Sequence, residues 1–194
     1  MAEVLAEVIS EDQLRERIQG IGTQLQEDFG AHRPVFVGVL MGSLPFLADL
    51  VRAVDAEADI DFLALSRFGE GGRVRIALDT TISLTGRHVV LVTNIVDTGF
   101  TLTTIGRLLE TRNPASLATV VLVDKSSRRI VEVPIDYRGF EAGDEFLIGY
   151  GFDWEGRYRN LRSIWAVLDP SALAEDPDLP ARRVLGAPGD RVTA

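Results

Sequence analysis

A chain of 194 residues, 46% hydrophobic and 25% charged, is sized for one compact domain with a small appendage. It has no cysteine, which excludes a disulfide framework and a thiolate metal site. Its formal net charge of −9 argues against sequence-independent nucleic-acid binding, which depends on Lys and Arg neutralising phosphates. The acidic start, with Glu3 and Glu7, lacks the basic region of a secretory signal. No apolar run is long enough to span a bilayer, so the expectation is a cytoplasmic protein that binds neither nucleic acid nor membrane. Acidity is compatible with a small phosphorylated substrate accompanied by Mg²⁺, which carboxylates and phosphates hold together.

In chain order, Ser10 to Phe29 reads as a helix. Ser10 and Gln13 have capping-box spacing, and Leu14, Ile18, Ile21 and Leu25 recur at helical period. Gly20 and Gly22 interrupt the pattern, and Gly30 is the expected stop. Val35 to Leu40 reads as a buried strand. Met41-Gly42-Ser43 turns it into a helix from Leu44 to Val54, with Pro45 in the first turn. This junction is either a second anion site or a simple βα connection. Ile60 to Ser66 is a third strand, and Val74 to Leu78 a returning one. Between them Arg67 to Arg73, with three glycines, reads as a hairpin tip or a lid.

The stretch Val89 to Leu102 organises the rest. Its apolar, mostly β-branched start reads as a buried parallel strand, and a helical pattern runs from about Leu102 to Glu110. Between them, Asp97-Thr98-Gly99-Phe100-Thr101 is a short turn into a helix N-terminus. Unpaired N–H groups and the helix dipole favour an anion there. Thr98 and Thr101 add hydroxyl donors, and Gly99 permits close approach. The chemistry fits a phosphate monoester.

Ala118 to Asp124 is a further buried strand running into the basic loop Lys125 to Arg129. Open α/β sheets bind ligands at such strand ends. Val131 to Tyr137, Phe146 to Tyr150 and Ser163 to Leu168 look like shorter strands, the later ones forming a smaller lobe. From Asp169 the composition shifts, with prolines at 170, 177, 180 and 188. Residues 169–194 are read as an extended tail outside a 1–168 domain. The alternation of strands and helices implies an α/β domain with a mostly parallel sheet.

Several motifs in order resemble the hypoxanthine (hypoxanthine-guanine) phosphoribosyltransferases, from about Val4 to Leu168. They are Leu40-Met41-Gly42-Ser43, the stretch Thr93 to Leu102, Asp124 to Arg129, Asp144 to Asp153, and Arg157 to Leu161. The resemblance implies the type I phosphoribosyltransferase fold, a twisted sheet flanked by helices with a small hood. It implies transfer of a phosphoribosyl group from phosphoribosyl pyrophosphate to a 6-oxopurine, with Mg²⁺, in a homodimer or homotetramer. The roles carried over are as follows. Val96, Asp97, Thr98, Gly99, Phe100 and Thr101 would wrap the 5′-phosphate, with Asp97 the general base. Lys125 would donate to the 6-oxo oxygen, Phe146 would stack on the base, and the Leu147 backbone would read its edge. Asp153 would ligate Mg²⁺ and Arg159 would neutralise pyrophosphate. Met41 and Gly42 belong to the pyrophosphate loop, where the Leu40–Met41 peptide would be cis.

Three departures stand out. Thr93 and Asn94 replace the family's acid pair that holds the ribose diol, which removes charge from each contact at a cost of about tenfold. Met41 replaces a Lys or Arg. Arg67 to Arg73 is shorter than the family's catalytic lid and starts Arg67-Phe68 in place of Ser-Tyr. The purine-side motifs are intact while the ribose-side ones are altered. Two other readings therefore stay open. One is a homologue acting on another heterocycle or a modified sugar phosphate, and the other is a non-catalytic purine-nucleotide-binding regulator.

Overall fold

The computed structural model describes residues 4–68 and 73–186, in two compact units. The larger, Arg15–Asp144, holds most of α1 (Glu11–Phe29), then β2 (Val35–Leu40), α2 (Leu44–Ala53), β3 (Asp59–Phe68), β4 (Arg73–Leu78), β5 (His88–Val96), α3 (Phe100–Glu110), β6 (Ser116–Asp124) and β7 (Tyr137–Glu141). The smaller, Met1–Leu14 with Glu145–Ala194, holds β1 (Leu5–Ile9), β8 (Phe146–Ile148), β9 (Ile164–Val167), α4 (Pro170–Glu175) and α5 (Leu179–Val184).

The larger unit is built on a six-stranded sheet of order β4-β3-β2-β5-β6-β7, parallel except for the β3–β4 hairpin. Alternation assigns the two faces. Val35, Val37, Leu63, Val89 and Leu91 join Leu102, Ile105 and Leu109 of α3 in one buried cluster. Gly38 points the other way, and a Cβ there would lie 2.6 Å from Leu47 Cδ2, so α2 rests directly on β2. The same device joins α1 to α2, because a Cβ on Gly22 would lie 2.6 Å from the Ala53 carbonyl oxygen. Of the two glycines that interrupt the helical pattern, Gly22 is thus a point of close helix approach, while a Cβ on Gly20 would meet nothing within 4 Å. Each buried Val, Leu or Ile contributes roughly 1.5–3 kcal/mol, against about 0–1 kcal/mol for an exposed ion pair. The two apolar faces, not the surface charges, therefore hold the sheet together.

The reciprocal capping box forms as expected. Ser10 N–H donates to Gln13 Oε1 at 2.9 Å, and Gln13 N–H to Ser10 Oγ at 3.3 Å. Three readings change. Val131 to Tyr137 is not a strand. Val131 N–H is used on the Thr98 carbonyl and Pro134 has no N–H to give, so pairing with β6 begins only at Tyr137. Residues 169–186 are not extended. Asp169 caps α4 by accepting from Ala172 N–H, and Leu173 is fully buried with Leu5, Ile148 and Tyr158. β1 was not anticipated, and it completes an antiparallel sheet of order β1-β9-β8. The Gly-rich tip, 69–72, lies outside the described residues, and the expected lid with it.

Asp59, at the start of β3, accepts from Arg87 at 2.6 Å and Arg33 at 3.0 Å. The hydrogen bond from Arg87, helped by Arg33, holds its carboxyl below the usual carboxylate range. A lowered folded-state value means that the contribution is complete above the unfolded pKa, about 3.9, and is lost as pH falls through the folded one. Asp59→Asn should therefore lower the melting temperature at neutral pH, and its gap to wild type should close in strong acid. A gap independent of pH would contradict this.

Candidate active site

The site begins with strand register. Val96, the last residue of β5, pairs with Asp124, the last of β6. Asp97 and Lys125 therefore leave the sheet side by side at its C-terminal edge. Four contacts then zip the two loops together. Lys125 N–H donates to the Val96 carbonyl at 2.9 Å. The N–H groups of Ile130 and Val131 both donate to the Thr98 carbonyl at 3.0 Å. Arg128 Nε donates to Asp97 Oδ1 at 2.6 Å, and this bond raises the Arg128 pKa. Gly99, at φ 94°, lets Val131 O come within 2.2 Å of where a Cβ would stand.

Beneath the loops lies a charged cluster. Asp124, almost wholly buried, is paired with Arg129 and, at 3.0 Å, with Arg138 Nε. A buried carboxylate needs such partners, since desolvation of an unpaired charge costs several kcal/mol. Arg129 runs past Gly99, so the cluster fixes the floor of the Asp97 to Gly99 turn.

A cavity of about 220 Å³ opens above this turn. Its lining includes Leu40, Gly42, Thr93, Asn94, Val96, Asp97, Thr98, Gly99 and Thr101. Gly99 stands at the N-terminus of α3, and among the described residues no side chain caps it. The first-turn N–H groups are thus available to a ligand anion. Thr93 is buried, and its hydroxyl donates weakly to the Ile95 carbonyl at 3.4 Å. Asn94 lies against Gly42, its Nδ2 2.5 Å from where a Cβ would stand. The Leu40–Met41 peptide is cis, as the resemblance implied. Met41 and Phe100 fall outside the cavity lining, with 65% and 56% of their surfaces exposed. Lys125 is buried.

The remaining expected residues belong to the smaller unit. Phe146 is exposed and meets Trp154 edge-on at 5.2 Å, while Leu147 is buried. Asp153 pairs with Arg159 at 2.7 Å and accepts from Gly156 N–H at 2.7 Å. Arg159 also donates to the Gly151 carbonyl at 2.5 Å.

Arg128 and the Asp124 cluster were not singled out from the sequence. The basic run at 125–129 marked the loop, but only the one-turn 3₁₀ helix Ser126–Arg128 decides which arginine reaches which carboxylate. Gly99→Ala should cost about 1–3 kcal/mol, since its methyl would collide with backbone. Denaturant unfolding checks this, and unchanged stability would mean that the two loops are not clamped there.

Residues 10–155 match the phosphoribosyl transferase domain family. The hypoxanthine phosphoribosyltransferase of Haemophilus influenzae is 41% identical over 168 residues, 83% of this chain and 94% of that protein. A bifunctional TilS/HprT protein of Listeria monocytogenes is 40% identical over 172 residues, 87% of this chain. The chain spans only 26% of that longer protein's length. A solved hypoxanthine-guanine phosphoribosyltransferase of Bacillus anthracis superposes with a TM-score of 0.82 at 36% identity, covering 86% of this chain and 100% of that one. With this fold, this loop pair and these relatives, the chain belongs to the phosphoribosyltransferase family, in its hypoxanthine-guanine branch.

Proposed function

We propose that this chain transfers a 5-phosphoribosyl group from phosphoribosyl pyrophosphate to a 6-oxopurine such as hypoxanthine or guanine. The observation that carries the reading is the cavity over the uncapped start of α3, zipped to the loop that holds Lys125. A ring nitrogen of the base attacks the anomeric carbon. The bond from that carbon to the pyrophosphate oxygen breaks, and its electron pair leaves with pyrophosphate. The proton on the imidazole nitrogen passes to the Asp97 carboxylate, acting as general base. Val96 to Thr101 hold the 5′-phosphate through N–H groups and hydroxyls. Lys125 donates to the 6-oxo oxygen, which selects against an amino group at that position. Phe146 and the Leu147 backbone recognise the base in this reading, and Gly42 with Met41 belongs to the pyrophosphate loop.

Among the described residues no group of three His, Cys, Asp or Glu side chains gathers to hold a metal. A single carboxylate, Asp153, keeps a further lone pair on each oxygen beside its contacts with Arg159 and the Gly156 N–H, and would suit Mg²⁺, which takes one or two carboxylates and completes its shell with substrate oxygens and water. When bound, the ion would supply positive charge to the leaving pyrophosphate. Arg159 adds a second positive charge there. A homodimer or homotetramer in the cytoplasm is the setting this reading expects. No helix among the described residues is long and apolar enough to cross a membrane.

The direct test is a mass-spectrometric assay with Mg²⁺, phosphoribosyl pyrophosphate and a panel of purines. The expected products are 6-oxopurine monophosphates, with adenine a poor substrate. Lys125→Ala should depress turnover of hypoxanthine and guanine selectively. Equal use of adenine and hypoxanthine by the wild type would remove Lys125 from base selection.

One observation favours a second reading. Thr93 and Asn94 line the cavity without charge, and the Thr93 hydroxyl makes only a weak bond, to the Ile95 carbonyl. A ribose diol is therefore held weakly, and phosphoribosyl pyrophosphate should turn over slowly. Thr93→Glu with Asn94→Asp, made together because both contacts share one diol, should raise turnover or lower the Michaelis constant. If activity stays absent or falls, a donor other than an ordinary ribose moves ahead.

A further inference from the structure

Residues 169–186 lie beyond the stretch matched by the family, 10–155, and the function above does not use them. They are nevertheless built into the smaller unit. Leu173 is fully buried in the cluster of Leu5, Ile148, Tyr158, Leu161 and Val167, and Leu179, Ala181 and Val184 pack against it. Between α4 and α5, two consecutive residues reach back to the loop 149–161. The Pro177 carbonyl accepts from the Tyr158 hydroxyl, and Asp178 pairs with Arg157. Arg157 also lies over the Tyr158 ring, 5.0 Å from its centroid. The Arg157 hydrogen bond holds the Asp178 carboxyl below its usual range, so the pair is fully charged at neutral pH.

The two residues held in this way lead directly into Arg159. The loop that carries them is conformationally demanding. Tyr150, Glu155 and Tyr158 sit at φ 48°, 50° and 72°, alongside Gly149, Gly151 and Gly156 at positive φ. Side-chain-bearing residues keep such a backbone only where their surroundings over-determine it. At Tyr158 those surroundings include the tail. Across the same loop, Gly151 N–H donates to the Arg159 carbonyl at 2.9 Å, and Arg159 reaches Asp153.

We propose that the segment 169–186 is a brace that positions the Asp153–Arg159 pair. Pro177 and Asp178 fix Tyr158 and Arg157, and these fix the backbone from which the Arg159 guanidinium reaches Asp153. The proposal rests on the reading that Asp153 and Arg159 serve the metal-bound pyrophosphate. Tyr158, Arg157 and Asp178 act through their neighbours and are positioning residues. Release of the brace lets the Arg157 to Arg159 backbone relax, so the loss falls on pyrophosphate. The 5′-phosphate loop, Val96 to Thr101, is in the other unit and keeps its own hydrogen bonds.

The test uses the full chain with Asp178→Ala, Tyr158→Phe and the rescue variant Asp178→Glu. Calorimetry measures the affinity for pyrophosphate with Mg²⁺ and, separately, for ribose 5-phosphate, which on this reading touches only the larger unit. Each of the first two variants should weaken pyrophosphate binding about five- to tenfold, somewhat less than the loss of one whole charge-assisted hydrogen bond, because Arg159 is displaced and not removed. The Michaelis constant for phosphoribosyl pyrophosphate should rise in step. Ribose 5-phosphate should bind as in the wild type, and Asp178→Glu should recover most of the loss. Tyr158→Phe removes only a hydroxyl, so it keeps the test open if Asp178→Ala does not fold. Unchanged pyrophosphate affinity in both variants overturns the brace alone. So does an equal fall in both ligand affinities, which marks a merely structural role. A wild-type chain that binds no pyrophosphate overturns the brace together with the reading beneath it.

Discussion

The site depends on one constraint, the register of β5 against β6. Because Val96 and Asp124 pair as the last residues of their strands, the turn that starts at Asp97 and the loop that starts at Lys125 emerge level. A slip of one residue would move Asp97 off the edge and send every buried side chain of β5 to the opposite face of the sheet. That slip is blocked by the apolar faces themselves. Val89 and Leu91 bury on one side while Val90 and Val92 bury between them on the other. Core packing thus sets the position of the chemistry. The hydrogen bonds from Lys125, Ile130 and Val131 then join two loops 30 residues apart in sequence into one rigid rim.

The distribution of charge over the expected site residues is what separates this chain from the family pattern. Carboxylates persist at Asp97 and Asp153, where the proposed function asks for a base and a metal ligand. They are gone where the sugar hydroxyls would lie, at Thr93 and Asn94. Neutral hydrogen bonds are worth roughly 0.5–1.5 kcal/mol against roughly 1.5–3 for charged ones. On the proposed function, the hold on phosphate and base would stay while the hold on the diol would weaken. Asn94 also lies against Gly42, so the turn after β2 and the end of β5 share one contact surface.

Much of this was readable in the linear chain, for physical reasons that can be named. The Ser10–Gln13 capping box, the apolar, mostly β-branched run at 89–92 and the Gly turns at 42 and 99 are local signals, and each gave the element expected. Where the structure departs, tertiary hydrogen bonding decided. Val131 is apolar and strand-like, but its N–H is taken by Thr98, and Pro134 cannot extend a ladder. The tail carries prolines that suit extended chain. Two of them, Pro170 and Pro180, instead occupy first turns of helices, where a missing N–H costs nothing. β1 is only five residues long and pairs with β9, more than 150 residues away, so no local pattern announces it. The Arg128–Asp97 pair is equally silent in sequence, because a single 3₁₀ turn sets its geometry.

The central claim is that the start of α3 is a phosphate seat and that the phosphate, not the base or the sugar, anchors the ligand. Calorimetric titration of the wild-type chain with inosine 5′-monophosphate and, in parallel, with inosine tests it most directly. The monophosphate should bind at least about a hundredfold more tightly, the worth of two charge-assisted hydrogen bonds at roughly 1.5 kcal/mol each. Equal affinity for the two compounds would contradict the account.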